Sequence, residues 1–193
     1  MSDSAVAFAV LLGLVALHRL AELVVSAVRL GRRKDALVPE PWLFPAMVVL
    51  HTGILTAPLA EVVTLGREFS LPVGISAGVV LIVATALRVW TLRTIGGAWN
   101  ARVVLPENEA VVASGPYAWI RHPNYLVVIL EVACLPLLHS AWISALVLSL
   151  LNGLVLYSRI NTEEAALNQL PAWRDAMQDK PRLLPRFWRA VAE

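Results

Sequence analysis

The sequence holds a single cysteine, Cys134, and few charged residues for its length. A lone cysteine excludes an internal disulfide and any zinc site built from several cysteines, and we predict no metal site. Charged residues make up 16% of the 193 positions, whereas average soluble domains have about 25%. The sequence also lacks repeats and Gly-rich phosphate loops, because Gly96-Gly97 alone is not a nucleotide-binding fingerprint. These absences remove proteins with internal disulfides, multi-cysteine zinc sites or glycine-rich nucleotide loops from consideration.

Long apolar runs dominate what is present. Hydrophobic residues make up 58% of the chain, and the mean hydropathy is +0.68. A helix needs about 20 apolar residues to cross a bilayer, and residues 5–30, 42–65 and 71–92 each provide such a run. A fourth run, 125–157, is too long for one span, and its break at 138–140 predicts a hairpin with a short first arm. We therefore predict an all-α, polytopic membrane protein with about five transmembrane helices and a C-terminal helical hairpin.

Basic residues are distributed unevenly around these predicted spans. The loops on one side hold little beyond Arg67. Because basic loops face the cytoplasm, we expect the N-terminus outside and the long loop and tail inside. The first run lacks a basic start and a cleavage site, so we expect it to remain as a membrane helix. No basic stripe alternates with aromatic residues, so nucleic-acid binding is not predicted. The residues on the basic side are Arg29, Arg32, Arg33, Lys34, Arg93, Arg102, Arg121, Arg174, Lys180, Arg182, Arg186 and Arg189.

Residues 115–125, GPYAWIRHPNY, form a polar, turn-rich segment between two apolar runs. Pro123 suits the first turn of a new helix, with His122 as the flanking cap. The free N–H groups of that helix start, next to Arg121 and His122, are suited to an anionic group. The alternative is a basic interfacial loop before a membrane helix, and this segment alone does not separate the two.

A second polar cluster, RINTEE at 159–164, follows the last apolar run. On a continuing helix Arg159 and Glu163 are four residues apart and share one face. They could form a stabilising ion pair at the membrane boundary. The predicted hairpin would instead bring the cluster beside His122 and Tyr125. A cation, a carboxylate, a histidine and a tyrosine would then meet in one pocket at the membrane surface.

Together the two motifs resemble the isoprenylcysteine carboxyl methyltransferase family of integral-membrane methyltransferases. The similarity covers residues 103–170 and rests on AVVASGPYAWIRHPNY at 110–125, followed one hairpin later by RINTEE. The resemblance implies S-adenosylmethionine as methyl donor, bound in a cytoplasmic pocket. It implies a catalytic role at the acceptor side for Arg159. The cofactor-binding positions that it implies are Glu109, Ala110, Val111, Val112, Tyr117, His122, Pro123, Asn124, Tyr125 and Glu163.

The N-terminal half is similar to a bacterial branch of the same family, whose members O-methylate alkylpyrones or alkylresorcinols. Leu105 departs from the prenylcysteine enzymes, which have a polar residue in contact with the cofactor there. This resemblance implies a lipophilic acceptor and a place in the bacterial inner membrane. We expect one domain, with three spans in 1–92 and the catalytic loop, hairpin and C-terminal helix in 93–193. The branch pattern is read at Arg19, Glu22, Glu40, Leu50-His51 and Leu105-Pro106.

The chemistry of methyl transfer agrees with these motifs. The reaction is an in-line displacement at carbon, so alignment and exclusion of water provide most of the catalysis. We expect the helix start at His122 to hold the donor's carboxylate, and Glu163 to accept hydrogen bonds from its amine or ribose. Arg159 would position the acceptor oxygen and favour its ionised form.

Several ionisable residues fall inside the predicted spans. Each costs at least about 2.5 kcal/mol if it remains in lipid, so each is a functional candidate. His18 or Arg19 could pair with Glu22 across one turn as a structural clasp, or Arg19 and Glu22 could line the acceptor cavity. His51 could line that cavity or form an interhelical hydrogen bond. Glu131 is expected to face the bundle. We predict Arg19, Glu22 and His51 as substrate-binding residues.

Other functions are compatible with parts of this pattern. A small transporter would explain buried charges, but matching halves with broken helices are absent from the sequence. A membrane reductase with related C-terminal motifs would use a nicotinamide cofactor instead. Within the methyltransferases, carboxyl methylation of a prenylcysteine-like substrate is the alternative to O-methylation of an alkylpyrone or alkylresorcinol. The sequence does not indicate an oligomeric state.

Overall fold

A computed structural model describes residues 2–31, 40–103 and 111–185 of the chain. These residues form helices and connecting turns, without a strand among them. The six α-helices of this part are α1 (Asp3–Gly31), α2 (Leu43–Thr64), α3 (Leu71–Ile95), α4 (Pro123–Leu137), α5 (Trp142–Leu167) and α6 (Pro171–Met177).

The predicted membrane helices are confirmed. Four segments are long and apolar enough to cross a bilayer: α1, α2, α5, and α3 together with the short 3₁₀ turn that follows it. The helix α4 has 15 residues and is about 22 Å long, less than the roughly 30 Å hydrocarbon core. It is the short first arm of the predicted hairpin, and the break before α5 lies where the sequence indicated. The chain is a multi-pass integral membrane protein.

Local sequence explains where these helices begin and end. Pro123 occupies the first position of α4, where its missing N–H costs no hydrogen bond. The helix α3 ends at Gly96, whose φ of 56° is a backbone conformation that glycine adopts without steric strain. At the start of α5, the Glu61 carboxylate accepts hydrogen bonds from the backbone N–H of Ser144 at 2.7 Å and of Ile143 at 3.2 Å. A carboxylate at this position complements the positive end of the helix dipole.

The helices form one bundle with two distinct ends. The helix α3 packs on α4, α4 on α5, α5 on α2, and α2 on α1. We call the end where α1, α3 and α5 finish, and where α2 and α4 begin, the site end. At the opposite end, Ser4 lies 3.1 Å from the His139 ring nitrogen. The antiparallel hairpin therefore returns residues 159–164 of α5 to the level at which α4 begins.

Large apolar side chains cover the outside of the bundle. Leu17 is 65% exposed, Ile82 71% and Leu154 70%. Such a continuous apolar exterior is unfavourable in water but compatible with lipid. Polar side chains inside such a bundle are costly unless they are paired, so they are candidates for a functional site.

Candidate active site

One cavity of about 400 Å³ opens at the site end and continues between the membrane helices. This volume is within the range of small-molecule pockets, roughly 300–1,000 Å³. Its outer part is lined by Val111, Val112, Tyr117, Trp173 and Met177. Its inner part is lined by Leu20 of α1 and by residues of α2, and it extends along α2 for about 16 Å. The α2 residues in this lining are Phe44, Met47, Val48, His51, Thr52 and Leu55.

The predicted site residues converge on this cavity. Pro123 is the exception among those that the structure describes: it is fully buried in the first turn of α4 and does not line the cavity. Glu109 and Ala110, like Leu105, lie outside the described residues. The roles of all these residues remain predictions. The residues in the lining are Val111, Val112, Tyr117, His122, Asn124, Tyr125, Arg159, Glu163, Arg19, Glu22 and His51.

Arg159 lies at the junction between the outer and inner parts of the cavity. It is 3% exposed, so the alternative of a surface ion pair with Glu163 is wrong. Its Nε donates to the Tyr125 hydroxyl at 2.8 Å, and its Nη2 donates to the carbonyl oxygen of Ala101 at 2.5 Å. The Tyr125 hydroxyl donates in turn to the Glu163 carboxylate. Tyr125 thus connects the cation and the carboxylate that the sequence motif places four residues apart.

Glu40 is part of this site, although sequence reasoning noted it only as part of the branch pattern. Its side chain is fully buried and accepts from Arg159 Nη1 at 3.1 Å. It also accepts from the backbone N–H of Val103 at 3.1 Å and lies 3.4 Å from Arg102 Nε. A buried carboxylate is stable only when it is paired. The sequence feature that could have indicated a functional role for Glu40 is its position as an acidic residue just before the apolar run 42–65.

The start of α4 differs from the expectation of an open anion site. The carboxylate of Glu164 lies 2.9 Å from His122 Nε2 and 3.2 Å from Arg121 Nη1. The same carboxylate accepts from Arg182 Nη2 at 2.7 Å. The chain therefore supplies its own anion to Arg121 and His122. Sequence reasoning missed this role of Glu164 because its partners lie on two other segments.

Residues 178–185 form a strap across the beginning of α4. The backbone N–H of Arg121 donates to the Pro181 carbonyl at 2.9 Å, and that of His122 to the Arg182 carbonyl at 3.0 Å. Lys180 Nζ donates to the Tyr117 carbonyl at 2.8 Å. Burial lowers the pKa of the Lys180 ammonium. Trp173 and Met177 of α6, which precedes the strap, line the outer part of the cavity.

The end of α1 holds the loop that follows α3. Ser26 Oγ donates to the Asn100 side-chain oxygen and accepts from the Ala101 backbone N–H, both at 3.0 Å. Arg29 Nη1 donates to the carbonyls of Gly96 at 3.2 Å and Trp99 at 3.1 Å. These bonds fix the carbonyl of Ala101 where Arg159 reaches it.

A cluster of four charged side chains lies between the membrane helices near the inner part. Arg19 of α1 is 2.8 Å from Glu22 and also bonds Glu131 of α4. Arg88 of α3 is 3.6 Å from Glu22 and 3.5 Å from Glu131, and 3.4 Å from the Asn124 side chain. The predicted Arg19–Glu22 pair is present. Together with Arg88 and Glu131 it forms a network of ion pairs across α1, α3 and α4. Because Arg19, Glu22 and Arg88 also line the cavity, the clasp and the cavity wall share these residues.

Tyr117 and His51 also line the cavity and can form hydrogen bonds with a ligand. Burial raises the pKa of the Tyr117 phenol, and the Glu163 carboxylate raises it further, so the phenol stays protonated. His51 Nδ1 lies 2.7 Å from the Met47 carbonyl of its own helix, which makes this nitrogen the donor. Tyr117 thus offers a hydroxyl in the outer part of the cavity, and His51 an imidazole in the inner part.

Comparison with known proteins connects this cavity to one family. The profile of the isoprenylcysteine carboxyl methyltransferase (ICMT) family matches residues 76–169. The match begins within α3, includes the start of α4, and ends just after α5. The chain is also 33% identical over 127 residues to the uncharacterized protein YpbQ of Bacillus subtilis (strain 168), an alignment that covers 65% of this chain and 74% of that protein.

Proposed function

This chain belongs to the isoprenylcysteine carboxyl methyltransferase family, and on that premise we propose that it O-methylates the polar head of a lipophilic acceptor with S-adenosylmethionine. Membership makes it a membrane methyltransferase. The acceptor class that we propose is an alkylpyrone or alkylresorcinol lipid. One observation carries the proposal: a single cavity runs from the motif residues of the site end to a chamber between membrane helices.

The outer part of the cavity has the chemical groups that S-adenosylmethionine requires. Val111, Val112 and Tyr117 offer apolar and aromatic surface to an adenine ring. Glu163 is 25% exposed at its side chain, and a carboxylate has several lone pairs for an amine or ribose hydroxyl. In the first turn of α4, the backbone N–H groups of Tyr125 and Leu126 donate to the His122 carbonyl, whereas that of Asn124 has no acceptor in its own helix. Bound there, S-adenosylmethionine would supply an activated methyl group on its sulfonium.

The inner part of the cavity suits an amphiphile. Leu20, Met47 and Leu55 offer apolar surface to an alkyl chain, while His51 and the Arg19–Glu22 pair offer hydrogen bonds to ring oxygens. A pocket that is mostly apolar with a few placed polar groups fixes the orientation of its ligand. We assign the acceptor's reacting oxygen to the junction at Arg159, whose positive charge favours an ionised oxygen.

The remaining catalytic contribution would be alignment and exclusion of water. Glu40 and the Ala101 carbonyl hold Arg159, and the strap covers the start of α4. A rigidly held site of this kind lowers the entropic cost of bringing two reactants together. Water excluded from the junction cannot compete with the acceptor oxygen.

We propose that the site end faces the cytoplasm of a bacterial inner membrane. Arg93, Arg102 and Arg121 belong to segments at this end, whereas Arg67 lies at the opposite end beside Glu61. An excess of basic residues on one side is the usual signature of the cytoplasmic side.

Ligand-dependent stability of the detergent-solubilised protein tests the donor. S-adenosylmethionine or its demethylated product should stabilise the protein, by about 2.7 kcal/mol at a hundredfold excess over Kd. NADPH should have no effect. Stabilisation by NADPH alone would favour the reductase, and no shift with either methyl-donor compound would contradict the proposal.

Methyl transfer from labelled donor tests the acceptor. We expect labelling of an alkylresorcinol or an alkylated hydroxypyrone. A prenylcysteine analogue is the comparison substrate, because its carboxylate is the acceptor of the alternative function. Labelling of that analogue alone would overturn the proposed acceptor class while retaining the methyltransferase.

A further inference from the structure

The Tyr125 hydroxyl has an unusual set of neighbours at the cavity junction. It accepts a hydrogen bond from Arg159 Nε at 2.8 Å and donates a hydrogen bond to the Glu163 carboxylate. A phenol oxygen has one proton and two lone pairs. Arg159 takes one lone pair, so the other can accept a hydrogen bond from a ligand in the cavity, which Tyr125 lines.

Glu163 is suited to receive and release a proton. Its side chain is 25% exposed, whereas the side chains of Glu164 and Glu40 are 6% and 0% exposed. Glu164 is occupied by Arg121, His122 and Arg182, and Glu40 by Arg159. Glu163 is therefore the carboxylate next to Tyr125 that also reaches the open part of the cavity.

We propose that Tyr125 is a catalytic residue that relays the proton of a hydroxyl acceptor to Glu163, which extends the substrate range to weakly acidic phenols. This inference rests on the proposed O-methylation. As the acceptor oxygen bonds to the methyl carbon, the carbon–sulfur bond breaks and sulfur keeps the electron pair. The acceptor's proton passes to the Tyr125 oxygen while the Tyr125 proton passes to Glu163. Glu163 then releases one proton to water, which balances the charge lost from the sulfonium.

The groups around Tyr125 support this direction of transfer. Arg159 lies 5.9 Å from the Tyr125 ring centre and stabilises negative charge that develops on its oxygen. The centre of the His122 ring lies 5.3 Å from the centre of the Tyr125 ring, and Nε2 of His122 is hydrogen-bonded to Glu164. Glu40 stands behind Arg159 and contacts its other side. A carboxylate acceptor would need no such relay, because it carries no proton at neutral pH.

Acceptors of different acidity test the relay. A phenol such as an alkylresorcinol has a pKa of about 10 and is protonated at neutral pH, whereas the enol of a hydroxypyrone is acidic. Tyr125→Phe should lower turnover of the resorcinol by about 10²- to 10⁴-fold, the usual contribution of a general base. Turnover of the pyrone should fall less than tenfold. In the variant, the resorcinol rate should also increase with pH as the phenol ionises.

Tyr117→Phe is the matched control, because it removes a second tyrosine hydroxyl from the same cavity. It should change both acceptors by the same factor. Equal losses for the two acceptors in Tyr125→Phe would overturn the relay alone. If the wild-type protein methylates neither acceptor although it binds the donor, the proposed function fails and the relay fails with it.

A binding measurement without methyl donor provides an independent readout. A lipophilic nitrophenol absorbs visible light when ionised, so its titration can be followed while it is bound. We expect the bound probe to ionise about one to two pH units higher in Tyr125→Phe than in the wild type, because a charge-assisted hydrogen bond is lost. Glu163→Gln should shift it in the opposite direction, because the variant lacks a negative charge that opposes ionisation of a nearby phenol. An unchanged titration in both variants would contradict the relay.

Discussion

The carboxylate of Glu40 accepts a 3.1 Å hydrogen bond from Arg159, although 119 positions separate the two residues. Both side chains are almost completely buried. Glu40 also binds the backbone of Val103, so the segment before α2, the loop after α3 and the end of α5 meet at this pair. The pair holds Arg159 at the point where the two parts of the cavity join.

Glu40→Ala should strongly destabilise the protein, because it leaves the Arg159 cation buried without its carboxylate. Breaking such a buried pair costs about 3–5 kcal/mol. Arg102→Ala is the control, since Arg102 contacts the same carboxylate from a position that is 27% exposed and should cost less than about 1 kcal/mol. Thermal unfolding in detergent measures both. Similar losses in the two variants would show that the Glu40–Arg159 pair is not the dominant contact.

Arg159 and Glu163 should affect different ligands. Arg159→Ala would strand Glu40, so Arg159→Lys is the informative change: it keeps the charge and loses the planar fork. We expect reduced turnover with nearly unchanged donor affinity. Glu163→Gln should weaken donor binding by about ten- to a hundredfold, the value of a lost charge-assisted hydrogen bond. Calorimetric titration with S-adenosylhomocysteine measures donor-site affinity in both variants, and methyl-transfer rates measure their turnover. Equal effects on donor affinity would contradict these role assignments.

Arg182→Ala should loosen the strap over α4. The backbone N–H groups of Arg121 and His122 donate to strap carbonyls, so opening the strap exposes them to solvent. Hydrogen–deuterium exchange of a peptide containing both residues should become faster. Arg174→Ala, an exposed change in α6, serves as the control and should leave exchange unaltered. Unchanged exchange in Arg182→Ala would mean that its ion pair with Glu164 does not hold the strap.

The two ends of the bundle should be labelled from opposite sides of the membrane. Asp175 of α6 and Glu68 of the α2–α3 loop are both exposed, and Cys134→Ala removes the native thiol. In that background, a cysteine at 175 should react only after membrane disruption, and a cysteine at 68 should react in intact cells. The reverse pattern would invert the orientation, and reaction of both from one side would disprove the span arrangement.

Helix positions could be predicted from the sequence because their causes are local. The apolar runs, Pro123 and the polar break at 138–140 define where chain segments cross lipid or turn, and each depends on neighbouring residues alone. The family motifs likewise identified the wall of the outer cavity, since they are contiguous segments. The hairpin followed from one long apolar run with a break.

The partner of each buried charge was decided by tertiary structure. Four-residue spacing suggested a direct contact between Arg159 and Glu163, yet Tyr125 lies between them. Glu40 and Glu164 gained their roles from partners on other helices and on the strap. Spacing along a helix determines which side chains share a face, and residues from distant segments determine what that face contacts. The sequence alone therefore determined the membrane helices and the motif segments, and the packing of those helices determined the hydrogen-bond chain at the cavity junction.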